Sequence, residues 1–263
     1  MNKNAPFGRL NKYLISALFV AVVAVAFPGA SFAQVKVILS NGFGAAYRGA
    51  LPDFEKTSGI KVTTTEGASQ GNSPNTIGAQ LRRGVLADMV IMNKAGLDDL
   101  IAEGKIAPGT NVDLARTLLA VTIRTGAPKP DIGTVDAFKK TLLSARSVSI
   151  DASSSGIYLT TKAFPRLGIA KEMEGKTIKE GASAIASGKA DIGVMLVSEI
   201  LPVKGVEVVA PVPAEIQEPG VFSAAVVKGA KEVESAKRLI AFLASQSASA
   251  AIKKSGMEPV GHR

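Results

Sequence analysis

The 263-residue chain has no cysteine, no tryptophan and a single histidine, His262, at its extreme C-terminus. Without thiols there is no disulfide, no thiolate nucleophile, no iron–sulfur cluster and no Cys/His zinc site. A Ser-His-Asp triad would have to recruit His262 from the tail, so a secreted serine hydrolase is the weakest of the readings considered. Aromatic residues make up only 5% of the chain, and the cations gather nowhere more densely than in the pairs Arg82-Arg83, Lys139-Lys140 and Lys253-Lys254. A nucleic-acid surface, which needs a basic stripe with stacking rings, is therefore not expected. Lys and Arg nonetheless outnumber Asp and Glu by 31 to 22. A diffuse positive field of this kind draws in small anions.

With 46% hydrophobic residues the chain can fill one large core or two smaller ones. Residues 1–33 read as a cleavable secretory signal. Lys3, Arg9 and Lys12 form the positive region, Leu14 to Phe27 the apolar region, and Ser31-Phe32-Ala33 the small-x-small cleavage site. The apolar run is short against the roughly 20 residues of a membrane span. The expected mature protein begins near Gln34, carries no lipid-bearing cysteine and lies in the periplasm.

From Val35 onward, strand-like and helix-like patterns alternate. Val35 to Leu39 reads as a short apolar strand, and Ala87 to Met92 and Ala190 to Leu196 as largely apolar strands of the kind buried in parallel sheets. The pattern predicts an α/β protein with mainly parallel sheets. Three junctions share one design, a strand followed by a polar loop of small residues and then a helix: Ser40 to Gly44, Gly67 to Thr76, and Asp151 to Gly156. In the second, Ser73 is the expected N-cap, with Pro74 at the first helical position. In the third, Ser153 to Ser155 either cap the helix or, with Gly156 allowing close approach, present hydroxyls and free N–H groups to an anion. Asp191 is expected to pair locally, and Tyr158 to pack between elements.

The order of these parts resembles the substrate-binding proteins of bacterial ABC importers, in the branch that includes the molybdate-binding proteins. The likeness is carried by the first strand and its Ser/Asn/Gly loop, by Leu81 to Ile91, Ser155-Gly156-Ile157-Tyr158, Ser187 to Gly193, and Leu239-Ile240-Ala241-Phe242-Leu243. It implies the type II periplasmic binding protein fold, two Rossmann-like lobes joined by two crossing strands. Lobe I would hold 34–118 and 223–263, and lobe II 119–222. It further implies a ligand captured in the cleft, no enzymatic activity, no cofactor and no bound metal cation, delivery to an inner-membrane permease, and a monomer. Carried over position by position, the ligand donors would be Ser40, Asn41 and Gly42, then Ser69 or Ser73, then Ser154, Ser155 and Gly156. The relatives' first-loop serine falls on Gly42, their tyrosine on Leu196, and the second loop is longer by residues that include Gln70 to Asn72. The expected ligand is a molybdate-like oxyanion, with a small organic carboxylate as the alternative.

Overall fold

The computed structural model describes residues 34–260; the segment read as a secretory signal, and His262, lie outside them. The described strands are β1 (Gln34–Ser40), β2 (Lys61–Gly67), β3 (Met89–Asn93), β4 (Val112–Thr117), β5 (Leu119–Arg124), β6 (Val148–Ser149), β7 (Thr177–Ile178), β8 (Ile192–Leu196), β9 (Val206–Pro211), β10 (Gly220–Val226) and β11 (Glu258–Pro259). They form two sheets. One runs β11-β4-β10-β3-β1-β2 and the other β7-β6-β8-β5-β9. The first therefore draws on both ends of the described chain, and the second on its middle.

The α/β class and the two-lobe architecture hold, but the sheets are mixed, not mainly parallel. β1 pairs in parallel with β2 and β3, and β6 with β7 and β8. The remaining pairings, β10 with β3 and β4, β11 with β4, and β5 with β8 and β9, are antiparallel. The cause is the crossing itself. β4 ends at Thr117 and β5 begins at Leu119, so one residue separates a strand of one lobe from a strand of the other. A chain that passes so directly between sheets enters the second against the direction of its βαβ strands. The return crossing runs through 212–219, ahead of β10. Gln217 ties the two crossings together: its Oε1 accepts from the Leu119 N–H at 2.7 Å, and its Nε2 donates to the Leu119 carbonyl at 3.0 Å.

The cores follow the apolar runs. β3 is buried from Met89 to Met92, and β8 throughout. Helix Gly44–Ser58 covers the first sheet through Ala46, Tyr47, Ala50 and Phe54, and ends on Gly59, whose φ of +72° is the left-handed turn that closes a helix without side-chain strain. The C-terminal helices Val233–Leu243 and Gln246–Lys254 pack on it, with the Phe54 and Phe242 rings 5.4 Å apart and Gly49 leaving room for Ala251.

Asp88, 4% exposed, binds this assembly together. Its carboxylate accepts from the Lys36 N–H of β1 at 2.8 Å, and from the Lys231 and Glu232 N–H groups at 2.9 and 3.0 Å, just ahead of the helix Val233–Leu243. Removing it would strand three part-buried donors. Asp88→Ala is therefore expected to cost about 2–4 kcal/mol of stability, read as a lowered urea midpoint; a midpoint within error of the parent's would refute this role.

Candidate functional site

The parallel strands β1, β2, β3, β6 and β8 deliver their C-terminal ends to the gap between the lobes, the usual place for a ligand in an open α/β sheet. The loops that follow them meet there. The Asn93 N–H donates to Ser69 Oγ at 2.9 Å, and Ser69 Oγ donates to Ser40 Oγ at 2.9 Å. The three loops of lobe I are thus joined by one directional chain of hydrogen bonds. Across the gap, the Gln70 N–H donates to Ser153 Oγ of lobe II at 3.2 Å.

Beside this contact lies a cavity of about 390 Å³. Lobe I contributes Gln70, Asn93, Lys94 and Asp98, and lobe II contributes Ser154, Ser155, Tyr158 and Lys162. Leu119, Leu196 and Gly220, at or near the crossings, give it an apolar wall. Lys94 is paired with Asp98 at 2.9 Å, and Lys162 with Glu218 at 3.9 Å. The helix after Ser153 contains a π turn, Leu159–Ala163, which shifts the face of the helix by one residue. Ile157, Tyr158, Thr161 and Lys162 all reach the cavity, and the Tyr158 hydroxyl is anchored on the Ile216 carbonyl at 2.7 Å.

Behind the serines lie two carboxyl groups. Asp151 accepts from the Ser153 N–H and the Ser155 hydroxyl, and the Gly156 N–H also faces it. Burial pushes the Asp151 carboxyl up, opposed by these donors. Glu199, on the short helix Val197–Ile200, faces Asp151 and is held well above the usual carboxylate range, first by burial and then by the Asp151 charge. Its Oε2 is buried with no hydrogen-bond partner among the described residues.

The residues singled out in the sequence are placed as follows. Ser154 and Ser155 line the cavity. Ser69 lines an adjoining hollow that shares Gln70 and Ile157 with it, and Ser40 is buried beneath Ser69. Asn41 is exposed. Gly42 is buried where a Cβ would stand 2.4 Å from Phe222 Cζ and 3.3 Å from Glu199 Oε1. Gly156 is required by its neighbour, since a Cβ there would lie 2.0 Å from the Asp151 carbonyl oxygen. Ser73 lines neither hollow. It is exposed, its Oγ accepts only from the Asn75 N–H of its own turn, and the helix Ile77–Arg82 starts later, capped by Thr76 Oγ1 on the Ala79 N–H. Pro74 shapes that turn and does not open the helix. Asp191 pairs with Arg146 at 2.7 Å, away from the cavity. Sequence reasoning passed over Asp151 and Glu199, although an acid closing an apolar strand just before a serine loop was a visible sign of the first.

The Ser154 hydroxyl is buried and unpartnered among the described residues, so its removal breaks no bond in the empty protein. Ser154→Ala is expected to weaken binding of an anion in this cavity about tenfold, roughly 1.4 kcal/mol, with the melting of the empty protein unchanged. Ser73→Ala should alter neither. Equal affinities for the Ser154 variant and the parent would remove Ser154 from the site.

The chain matches the model of a family described as bacterial extracellular solute-binding proteins over residues 35–258. It is 34% identical to an aconitate isomerase of Pseudomonas sp. over 258 residues, covering 97% of this chain and 98% of that protein. Among solved structures it superposes on the periplasmic molybdate-binding protein of Azotobacter vinelandii with a TM-score of 0.68 at 21% identity, and on the substrate-binding domain of a putative molybdenum ABC transporter of Clostridium difficile with 0.65 at 20%. In both cases 87% of this chain covers all of the other. No described helix is long and apolar enough to cross a membrane. With loops from both halves meeting around a shared cavity and the family match running from the first strand to the last, the chain belongs to the bacterial extracellular solute-binding proteins.

Proposed function

We propose that the interlobe cavity takes a small organic polycarboxylate of the aconitate class, and that the protein presents it to a membrane permease. The observation that carries this reading is the cavity itself. At about 390 Å³ it falls in the range of organic-ligand sites, which begins near 300 Å³. A tetrahedral oxyanion fills on the order of 60 Å³, about two waters' worth, and would leave most of that space empty. The lining combines what an extended anion needs: the small polar residues Ser154 and Ser155, the apolar Leu119 and Leu196, and Lys94 and Lys162 from opposite lobes. Exchanging a surface lysine from its local carboxylate to a ligand carboxylate costs little, since such pairs are worth about 0–1 kcal/mol. The full-length likeness to an aconitate isomerase supports the same ligand class. Two donor positions implied by the likeness to molybdate-binding proteins are also missing, with Gly42 and Leu196 standing there.

A second reading adds turnover. It is favoured by the relative's name and by the Asp151 carboxyl one hydroxyl behind the cavity wall, bound to Ser155 and facing a second acid. Moving a proton between two carbons of an unsaturated polycarboxylate needs an acid–base group of that kind and no cofactor.

A thermal-melt screen separates these possibilities. Saturating trans-aconitate, cis-aconitate or citrate should raise the melting temperature, by the equivalent of about 2.7 kcal/mol at a hundredfold excess over Kd, while molybdate and sulfate should not. A rise with molybdate alone would restore the oxyanion. Incubating either aconitate isomer with the protein and following the vinyl proton by NMR reads turnover directly.

A further inference from the structure

The carboxyls of Asp151 and Glu199 form a feature that anion capture alone does not account for. They come from different elements, the end of the β6 segment and the helix after β8, and face each other with both residues half-buried and Glu199 Oε2 itself sealed from solvent. Among the described residues neither has an ion pair. The charged side chains nearest the cavity are already partnered, Lys94 with Asp98 from lobe I and Lys162 with Glu218 from lobe II. Asp151 is supplied with donors from Ser153, Ser155 and Gly156, whereas Glu199 Oε2 has none. Glu199 also reaches across the gap, with its Oε1 3.3 Å from the position of a Cβ on Gly42 in the first loop of lobe I.

Two carboxylates that face each other with little access to water do not both ionise readily; they share a proton, and the two groups titrate as one unit. An anion seated against Ser154 and Ser155 brings a further negative charge beside them, because Ser155 lines the cavity and its hydroxyl is bonded to Asp151. The least costly relief is to fill the shared site with a proton. Resting on the reading of the cavity as an anion site, we propose that this protein binds its ligand together with a proton, held between Asp151 and Glu199. The protonated carboxyl is then a donor, and the repulsion is removed without a buried lysine or arginine.

The sign of the pH dependence follows. Burial favours the protonated forms of both carboxyls, so the empty protein is most stable where they are protonated and loses stability as pH rises through their titration. A bound anion shifts that titration further upward. Affinity must therefore fall with rising pH across the window between the two titrations, by up to about tenfold per pH unit for one proton.

Calorimetry with trans-aconitate tests this between about pH 6.5 and pH 8.5, above the ordinary carboxylate range in which the probe itself titrates. The parent protein should weaken as pH rises and show binding enthalpies that depend on the buffer, with up to one proton taken up per ligand. Glu199→Gln, neutral at every pH and still able to donate to Asp151, should bind with flat affinity and no proton uptake. Its melting temperature, without ligand, should also lose the fall with pH that the parent shows. If Glu199→Gln does not fold, Asp151→Asn makes the same comparison. Parent affinity that is flat with pH, with enthalpy independent of buffer, overturns the proton coupling and leaves the cavity's ligand class standing. No binding of trans-aconitate at any pH brings down the ligand reading and the coupling with it.

Discussion

Everything about this molecule depends on how little chain lies between its lobes. One residue, Leu118, separates β4 from β5, and its carbonyl accepts the Val197 N–H at 3.0 Å. Gln217 then clamps the neighbouring Leu119 peptide from the return crossing through both its N–H and its carbonyl. The two sheets are thereby held with the C-terminal ends of their parallel strands converging. The loops at those ends have nowhere to point but towards one another. The cleft is a consequence of this short, doubly bonded connection as much as of the loops that line it.

Charge is handled unusually at that convergence. Most of the donors on the cavity wall are neutral, the lysines are engaged with their own carboxylates, and the ionisable groups behind the serines are acids. In a low-dielectric position an uncompensated carboxylate is costly. The donors gathered on Asp151 from Ser153, Ser155 and Gly156 offset part of that cost, and none are left for Glu199 Oε2. The serine loop that looked from the sequence like a seat for an external anion is first of all the cradle of an internal one. Ser154, whose hydroxyl Asp151 does not use, remains free for something else.

Much of this was legible in the residues. The apolar runs at Val35–Leu39, Ala87–Met92 and Ala190–Leu196 announced buried central strands, and β1, β3 and β8 are there. The serine and glycine loops pointed to the cleft because small polar residues between a buried strand and a helix have few other uses. Other parts left no pattern. β4, with the sequence VDLART, has too few apolar residues in alternation to stand out, and β7 and β11 are two-residue pairings made only by their neighbours. Strand direction is not written in hydrophobic period, so the antiparallel insertions could not be read. Ser73-Pro74 carried a strong local signal for a helix start, but Thr76 lies where the Ala68 to Thr76 bridge brings the backbone into line, and tertiary position decided the cap. The Asp151–Glu199 pair joins positions 48 residues apart in the chain, and only folding brings them together.

The packing at Gly42 constrains how such a site can diverge. A serine there, as the molybdate-binding likeness would place it, puts its Cβ into the Phe222 ring, whose tilted contact with Phe43 at 5.9 Å is part of the lobe I core. Phe222 would have to shrink first, at the cost of a core void, and only then would the hydroxyl be accommodated. A donor hydroxyl at this position is thus tied to the size and placing of the residue at 222, so the first loop and the core of lobe I cannot change independently here.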